Sequence, residues 1–165
     1  MVRYTTNNFW SSVLKALCVQ QPWAYALVDG VKSAEVRSWS TKHRGPLLIC
    51  ASARPKDMFW RNDTDDRLLP AGCMIGVVEL IDCRPLVASD AQAAMVGPEV
   101  QALRNHYAWH VRSTGFCVPS PIKGKLNLFD VPDRSVQFLA AHEWLFDYEP
   151  PQGNVPFTER CGLFG

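Results

Sequence analysis

Residues 17–52 read LCVQQPWAYALVDGVKSAEVRSWSTKHRGPLLICAS, and the architecture of the chain is decided in this stretch. Its first part, with KALCVQ over 15–20, has the apolar character of a short buried strand. Pro22 then opens a helix, WAYALVDG, because proline suits the first helical turn and Gly30 suits the end. Trp23, Ala26 and Leu27 recur at helical spacing and form one apolar stripe. KSAEVRSW alternates with period two, so Ser33, Glu35, Arg37 and Trp39 share one face of a strand. The turn TKHRG leads into PLLICAS (46–52), apolar enough for a core strand.

Working outward, ARPKDMFW suggests a short helix and NDTDDRLLP (62–70) an acidic loop. CMIGVVELIDCRPL (73–86) is the longest β-like run, followed by helical turns near 89–94 and 97–104. YAWHVR (107–112) reads as a strand, and FCVPSPIKGKLNLFDV as two short strands split by Pro119 and Pro121. SVQFLAAHEWLF (135–146) has helical spacing. Residues 1–13 read as a tail carrying Phe9 and Trp10, 14–146 as one domain, and 147–165 as a Pro/Gly-rich C-terminal tail. Five or six short strands without a βαβ repeat predict an α+β, mainly β protein: a small closed or partly closed barrel flanked by helices. No Gly-rich phosphate loop is present, which removes Rossmann and P-loop readings.

The chain has 165 residues, 47% apolar and 20% charged, the profile of one soluble domain. No apolar run approaches a membrane span, and MVRYTTNNFWSS lacks the apolar core of a signal peptide, so a cytoplasmic protein with no membrane partner is expected. Six cysteines, at 18, 50, 73, 83, 117 and 161, show neither CxxC pairs nor zinc-finger spacing. They read as free thiols, with Cys18, Cys50 and Cys73 in apolar runs. His43, His106, His110 and His142 do not cluster, and neither metal nor cofactor is expected. Trp109, Phe129, Trp144 and Phe146 read as core.

The net charge of +1 conceals segregation. Residues 31–61 carry seven Lys/Arg against two Asp/Glu, residues 62–99 two against seven, and residues 100–138 five against two. If the two basic segments meet in space, they form a patch suited to a polyanion; if charges interleave, they cancel. Within the first segment Glu35 and Arg37 are close enough to pair, which gives either a barrel-mouth ion pair of small value or a pocket. In the pocket reading Glu35 takes donors from a ligand amino group, while Lys32, Arg37 and Arg44 hold phosphate or carbonyl oxygen. Trp23 and Trp39 supply stacking faces, and Gln21 and Ser52 border the cleft.

The same residues resemble the signature of the ASCH domain family: a strand, QPW or QPY, a helix, GxKxxExR, then RG before an apolar strand. Gln21, Pro22, Trp23, Gly30, Lys32, Glu35, Arg37, Trp39, Arg44 and Gly45 match, and QPWA with ExRSW is similar to the version in a human transcription coactivator. GCMIGVVELIDC (72–83), YAWHVR (107–112) and PIKGKLNLFDV (121–131) resemble the family's second half, so the resemblance covers about residues 14–131. It implies a PUA-like β-barrel and an RNA- or DNA-binding module, or a binder of a nucleotide-like small molecule or modified base. Some relatives are hydrolases of acetylated cytidine, using a lysine and a threonine three residues later. Lys32 matches that lysine, but Glu35 occupies the threonine position, a departure that removes the nucleophile. Other relatives are ribonucleases; in that alternative Lys32 and Glu35 act as acid and base on a phosphodiester, with Glu79 as a second carboxylate. A third reading is a protein-interaction module that docks a partner through the C-terminal tail.

Overall fold

The computed structural model describes residues 13–61 and 66–139. Within these residues eight strands and two α-helices follow one another in the order β1 (Val13–Val19), α1 (Trp23–Asp29), β2 (Ala34–Arg37), β3 (Gly45–Ala51), β4 (Phe59–Arg61), β5 (Asp66–Leu68), β6 (Cys73–Pro85), α2 (Ala91–Ala94), β7 (Tyr107–Pro121) and β8 (Phe129–Pro132). Single turns of 3-10 helix lie at Ala88–Asp90 and Asp133–Ser135, and a longer one at Pro98–Leu103. No helix among the described residues is long and apolar enough to cross a membrane.

Six strands form one mixed sheet in the order β2-β7-β6-β3-β1-β8, and β4 and β5 form a separate hairpin. Strands β1 and β3 run parallel, with Cys18 opposite Cys50; the other pairings are antiparallel. The apolar run of β3 is buried on both faces, which explains why it does not alternate. Leu47, Ile49 and Ala51 enter a core with Leu17, Val19, Ile75, Val78 and Trp109. Leu48 and Cys50 enter a second core with Ala16, Met74, Val77, Cys117, Phe129 and Val131. Helix α1 caps the first core with Ala24, Leu27 and Val28. It ends where Gly30 takes a left-handed conformation, φ 94°, as its place after the apolar stripe requires.

The sheet is open, because β2 and β8 lie at opposite edges. Beyond β8 the chain turns back to β7: Val118 N–H donates to Gln137 O, and Leu139 N–H donates to Phe116 O. The expected barrel is therefore partly closed, by a short extended segment. This corrects the helix expected from Ser135, since 136–139 is extended; residues 140–146 lie outside the described residues, as do the tails before 13 and after 146. The second strand expected after Pro121 is β8, while the first is joined to YAWHVR in the single strand β7. Its register against β6 shifts at three places, and irregular pairing near a strand end is where proline is tolerated.

The helix expected at ARPKDMFW is absent. Lys56 and Asp57 N–H donate instead to Gln21 O, and the Asp57 carboxylate accepts from Phe59 N–H at 3.0 Å, so the chain turns into β4. The acidic loop contains β5 rather than being loop throughout. Trp60 packs on Tyr25, ring centroids 5.0 Å apart, and Tyr25 stacks on Phe116 at 5.5 Å. These contacts seat the hairpin on α1.

Helix α1 lies close over β6. A Cβ built on Gly76 would overlap Val28 Cγ1 and come within 2.6 Å of Gly115 O. Because one of these atoms is backbone, a rotamer change cannot relieve the overlap. Gly76→Ala is expected to destabilise the fold by about 1–3 kcal/mol, the usual cost of overpacking. A lowered midpoint in chemical denaturation, at unchanged slope, checks this.

Candidate functional site

The parallel strands β1 and β3 leave the sheet side by side, joined by Ser52 N–H donating to Val19 O. At this end the chain turns through the cis Gln21–Pro22 peptide into α1. Gln21 is fully buried: its Nε2 donates to Pro70 O at 2.9 Å, and its Oε1 accepts Tyr25 N–H at 2.9 Å. Both ends of the amide thus fix the turn between β1 and α1. The Ser52 hydroxyl accepts from Arg54 N–H at 3.3 Å and shapes the neighbouring turn.

Strand β2 brings three of the expected charges together. Lys32 Nζ lies 3.3 Å from Glu35 Oε2, and Arg37 Nε lies 3.3 Å from Glu35 Oε1. Lys32 also donates to Ala34 O at 2.6 Å and to Ala94 O, on α2, at 2.7 Å. It is 3% exposed, so its ammonium is enclosed by acceptors from two distant parts of the chain. Burial lowers its pKa, and Glu35 opposes that shift. Trp23 flanks this ammonium, its ring centroid 6.0 Å from Nζ. Trp39 packs edge-on against Trp109, and its carbonyl accepts the Trp109 indole N–H at 3.1 Å. Both Trp23 and Trp39 are partly buried against the first core. Trp109 and Phe129 are buried, as expected of core residues, while Trp144 and Phe146 lie outside the described residues.

Arg37 carries the network across to β1, where its Nη2 donates to Cys18 O at 2.7 Å. Over Cys18 sits the connection between β7 and β8. Gly124 comes so close that a Cβ there would overlap Cys18 Sγ, and the Lys125 backbone hydrogen-bonds the sulfur. Lys123 and Lys125 on this connection are exposed, and Leu126 beside them is 92% exposed. Arg37 of the first basic segment and the backbone at Gly124 and Lys125 of the second therefore both reach Cys18. Lys123, Lys125 and Cys18 were not singled out from sequence, although the positive balance of residues 100–138 was the signal for the lysines.

The remaining expected residues lie elsewhere in the arrangement. Arg44 bonds to Thr41 O, His43 O and Asp82 Oδ1, the last at 3.1 Å. Glu79 pairs with Arg112 across β6 and β7, with Arg112 exposed and Glu79 partly buried. The free thiols are as expected for Cys50 and Cys73, which are buried with Cys117; Cys18 and Cys83 are partly exposed, and Cys161 lies outside the described residues.

Residues 17–119 match the ASCH domain. The chain belongs to the ASCH domain family. Activating signal cointegrator 1 of Homo sapiens is 42% identical over a stretch covering 41% of this chain and 14% of that protein. The Mus musculus protein of the same name is 40% identical over the same shares. The matched ASCH stretch is thus a small part of these relatives. The crystal structure of ASCH from Zymomonas mobilis superposes with a TM-score of 0.53 at 15% identity, covering 73% of this chain and 88% of that one. A point mutant of the Zymomonas mobilis protein gives 0.51 at 13% identity, covering 72% and 90%. At these identities the likeness establishes the ASCH fold.

Proposed function

We propose that this ASCH domain binds nucleic acid, RNA in the first place, in the cleft bordered by Arg37, Trp23, Trp39 and the Lys123–Lys125 connection. The observation that carries this reading is that Arg37 and the connection bearing Lys123 and Lys125 both reach Cys18. Exposed lysines there stand free to meet phosphate, and Arg37 lies just inside them. The ASCH domain's PUA-like fold, commonly linked to RNA binding, agrees. Lys32 takes a positioning role in this reading: it holds Glu35, which holds Arg37. Glu35 and the tryptophan faces are placed to read a base edge and stack on it. Arg44, Gln21 and Ser52 shape the rim.

Titration of the protein with single- and double-stranded oligonucleotides at increasing salt tests this. Log affinity is expected to fall linearly with log salt, because bound phosphates release counterions. Salt-independent binding, or none to any oligonucleotide, rejects the proposal. The hydrolase reading has one specific support, the buried lysine with lowered pKa against a carboxylate. Oligonucleotides recovered intact after the titration count against it, and cleavage counts for it.

A further inference from the structure

We propose that the paired thiols Cys18 and Cys50, beneath the Lys123–Lys125 connection, form a modification site at which Cys18 exchanges with small anionic disulfides. Parallel pairing sets the two residues opposite each other on β1 and β3. Cys50 is fully buried, and Cys117 from β7 lies in the same core. Only Cys18 of these three is partly exposed, so an incoming disulfide that displaces the covering connection meets Cys18 first.

The surroundings make Cys18 the sulfur that loses its proton first. The Cys50 S–H and the Lys125 backbone N–H donate to it, and Arg37 lies near, so its pKa is lowered to about 7 despite burial. The same hydrogen bond and burial push Cys50 up, and burial pushes Cys117 up to about 12. Among the described residues, the charged and titratable groups facing Cys18 are therefore Cys50 on β3 and Arg37 on β2, with the Lys125 backbone on the covering connection and Cys117 behind Cys50.

The reaction needs no oxidant beyond the disulfide. The Cys18 thiolate attacks one sulfur of R–S–S–R; the Cys18–S bond forms, the S–S bond breaks and RS⁻ leaves, taking a proton from water. Lys123, Lys125 and Arg37 favour an anionic R. Because Gly124 rests on Cys18 Sγ, an adduct must displace the connection and with it both lysines. This last link rests on the nucleic-acid reading above; the chemistry of Cys18 does not.

The test uses the full chain with oxidised glutathione, which is anionic, and cystamine, which is cationic. Peptide mass mapping is expected to find the first adduct on Cys18, with a rate that rises with pH to a midpoint near 7. Glutathione should react several-fold faster than cystamine at low salt, and the gap should close at high salt. Cys50→Ala removes a donor and should raise the midpoint, whereas Cys50→Ser should keep most of the effect. A first adduct on Cys83 or Cys161, or a Cys18 midpoint near the ordinary thiol value of about 8.5, overturns the proposal. An adduct on Cys18 that leaves oligonucleotide affinity unchanged upholds the site and counts against the nucleic-acid cleft.

Discussion

Replacing Lys123 and Lys125 together by glutamate is expected to weaken oligonucleotide binding by about 2–3 kcal/mol, roughly 30- to 150-fold. Both side chains are exposed, so the double variant should keep its thermal midpoint. Loss of two phosphate contacts should also lower the salt slope by about two. Arg37 is the less informative position to change, because its guanidinium holds Cys18 O and Glu35 within the fold. Arg44→Ala is a useful contrast. Its guanidinium is engaged by Thr41, His43 and Asp82, so a smaller effect is expected there. A double variant that binds as tightly as the parent, with an unchanged slope, would move the interface away from this end of the sheet.

The second large effect concerns stability. Glu35→Ala removes the only carboxylate paired with Lys32 among the described residues, and the ammonium stays enclosed. Breaking one partner out of a buried pair costs about 3–5 kcal/mol, because the other charge is left uncompensated. Glu35→Gln keeps an acceptor and should cost less. Lys32→Met combined with Glu35→Gln should recover part of the loss, since no ammonium is then buried. The pH dependence has a definite sign. Lys32 in the folded chain has a pKa below its ordinary value of 10.5, so the folded state holds fewer protons than the unfolded state in between. Stability therefore rises with pH from the folded pKa up to 10.5. In Glu35→Ala the folded pKa falls further, and the rising window should begin at lower pH. Denaturation midpoints measured across alkaline pH check both statements; a variant as stable as the parent would show that the pair contributes nothing.

Where local chemistry decides, the sequence was readable. Pro22 and Gly30 bracket α1, alternation puts Glu35 and Arg37 on one face of β2, and unbroken apolar character marks β3. Other features depend on partners far along the chain. β4 and β5 are held by Tyr25 and by Leu69 N–H donating to Met58 O, contacts that no local pattern displays. The helical spacing after Ser135 was overridden by pairing with β7. Lys32 looked like an open cation because nothing beside it announces the carbonyl of Ala94. The lysines of the β7–β8 connection carried only a charge balance as their signal. Cys18 looked like core filling because its neighbours Arg37 and Lys125 arrive from other strands and turns.

The hairpin of β6 and β7 has a consequence for how such chains can vary. Pro85 and Tyr107 face each other directly, so a tight turn could join the strands without anything that lies between them. Yet part of that excursion is indispensable. Ala93 O accepts from Ser33 N–H, Ala94 O accepts from Lys32, and Asp90 is clasped by Arg84. The Pro98–Leu103 turn that follows has no such duty towards the charge network. Length changes are therefore expected to be tolerated after Ala94 and to cost stability before it. The excursion is thus divided at one residue into a brace and an adjustable spacer.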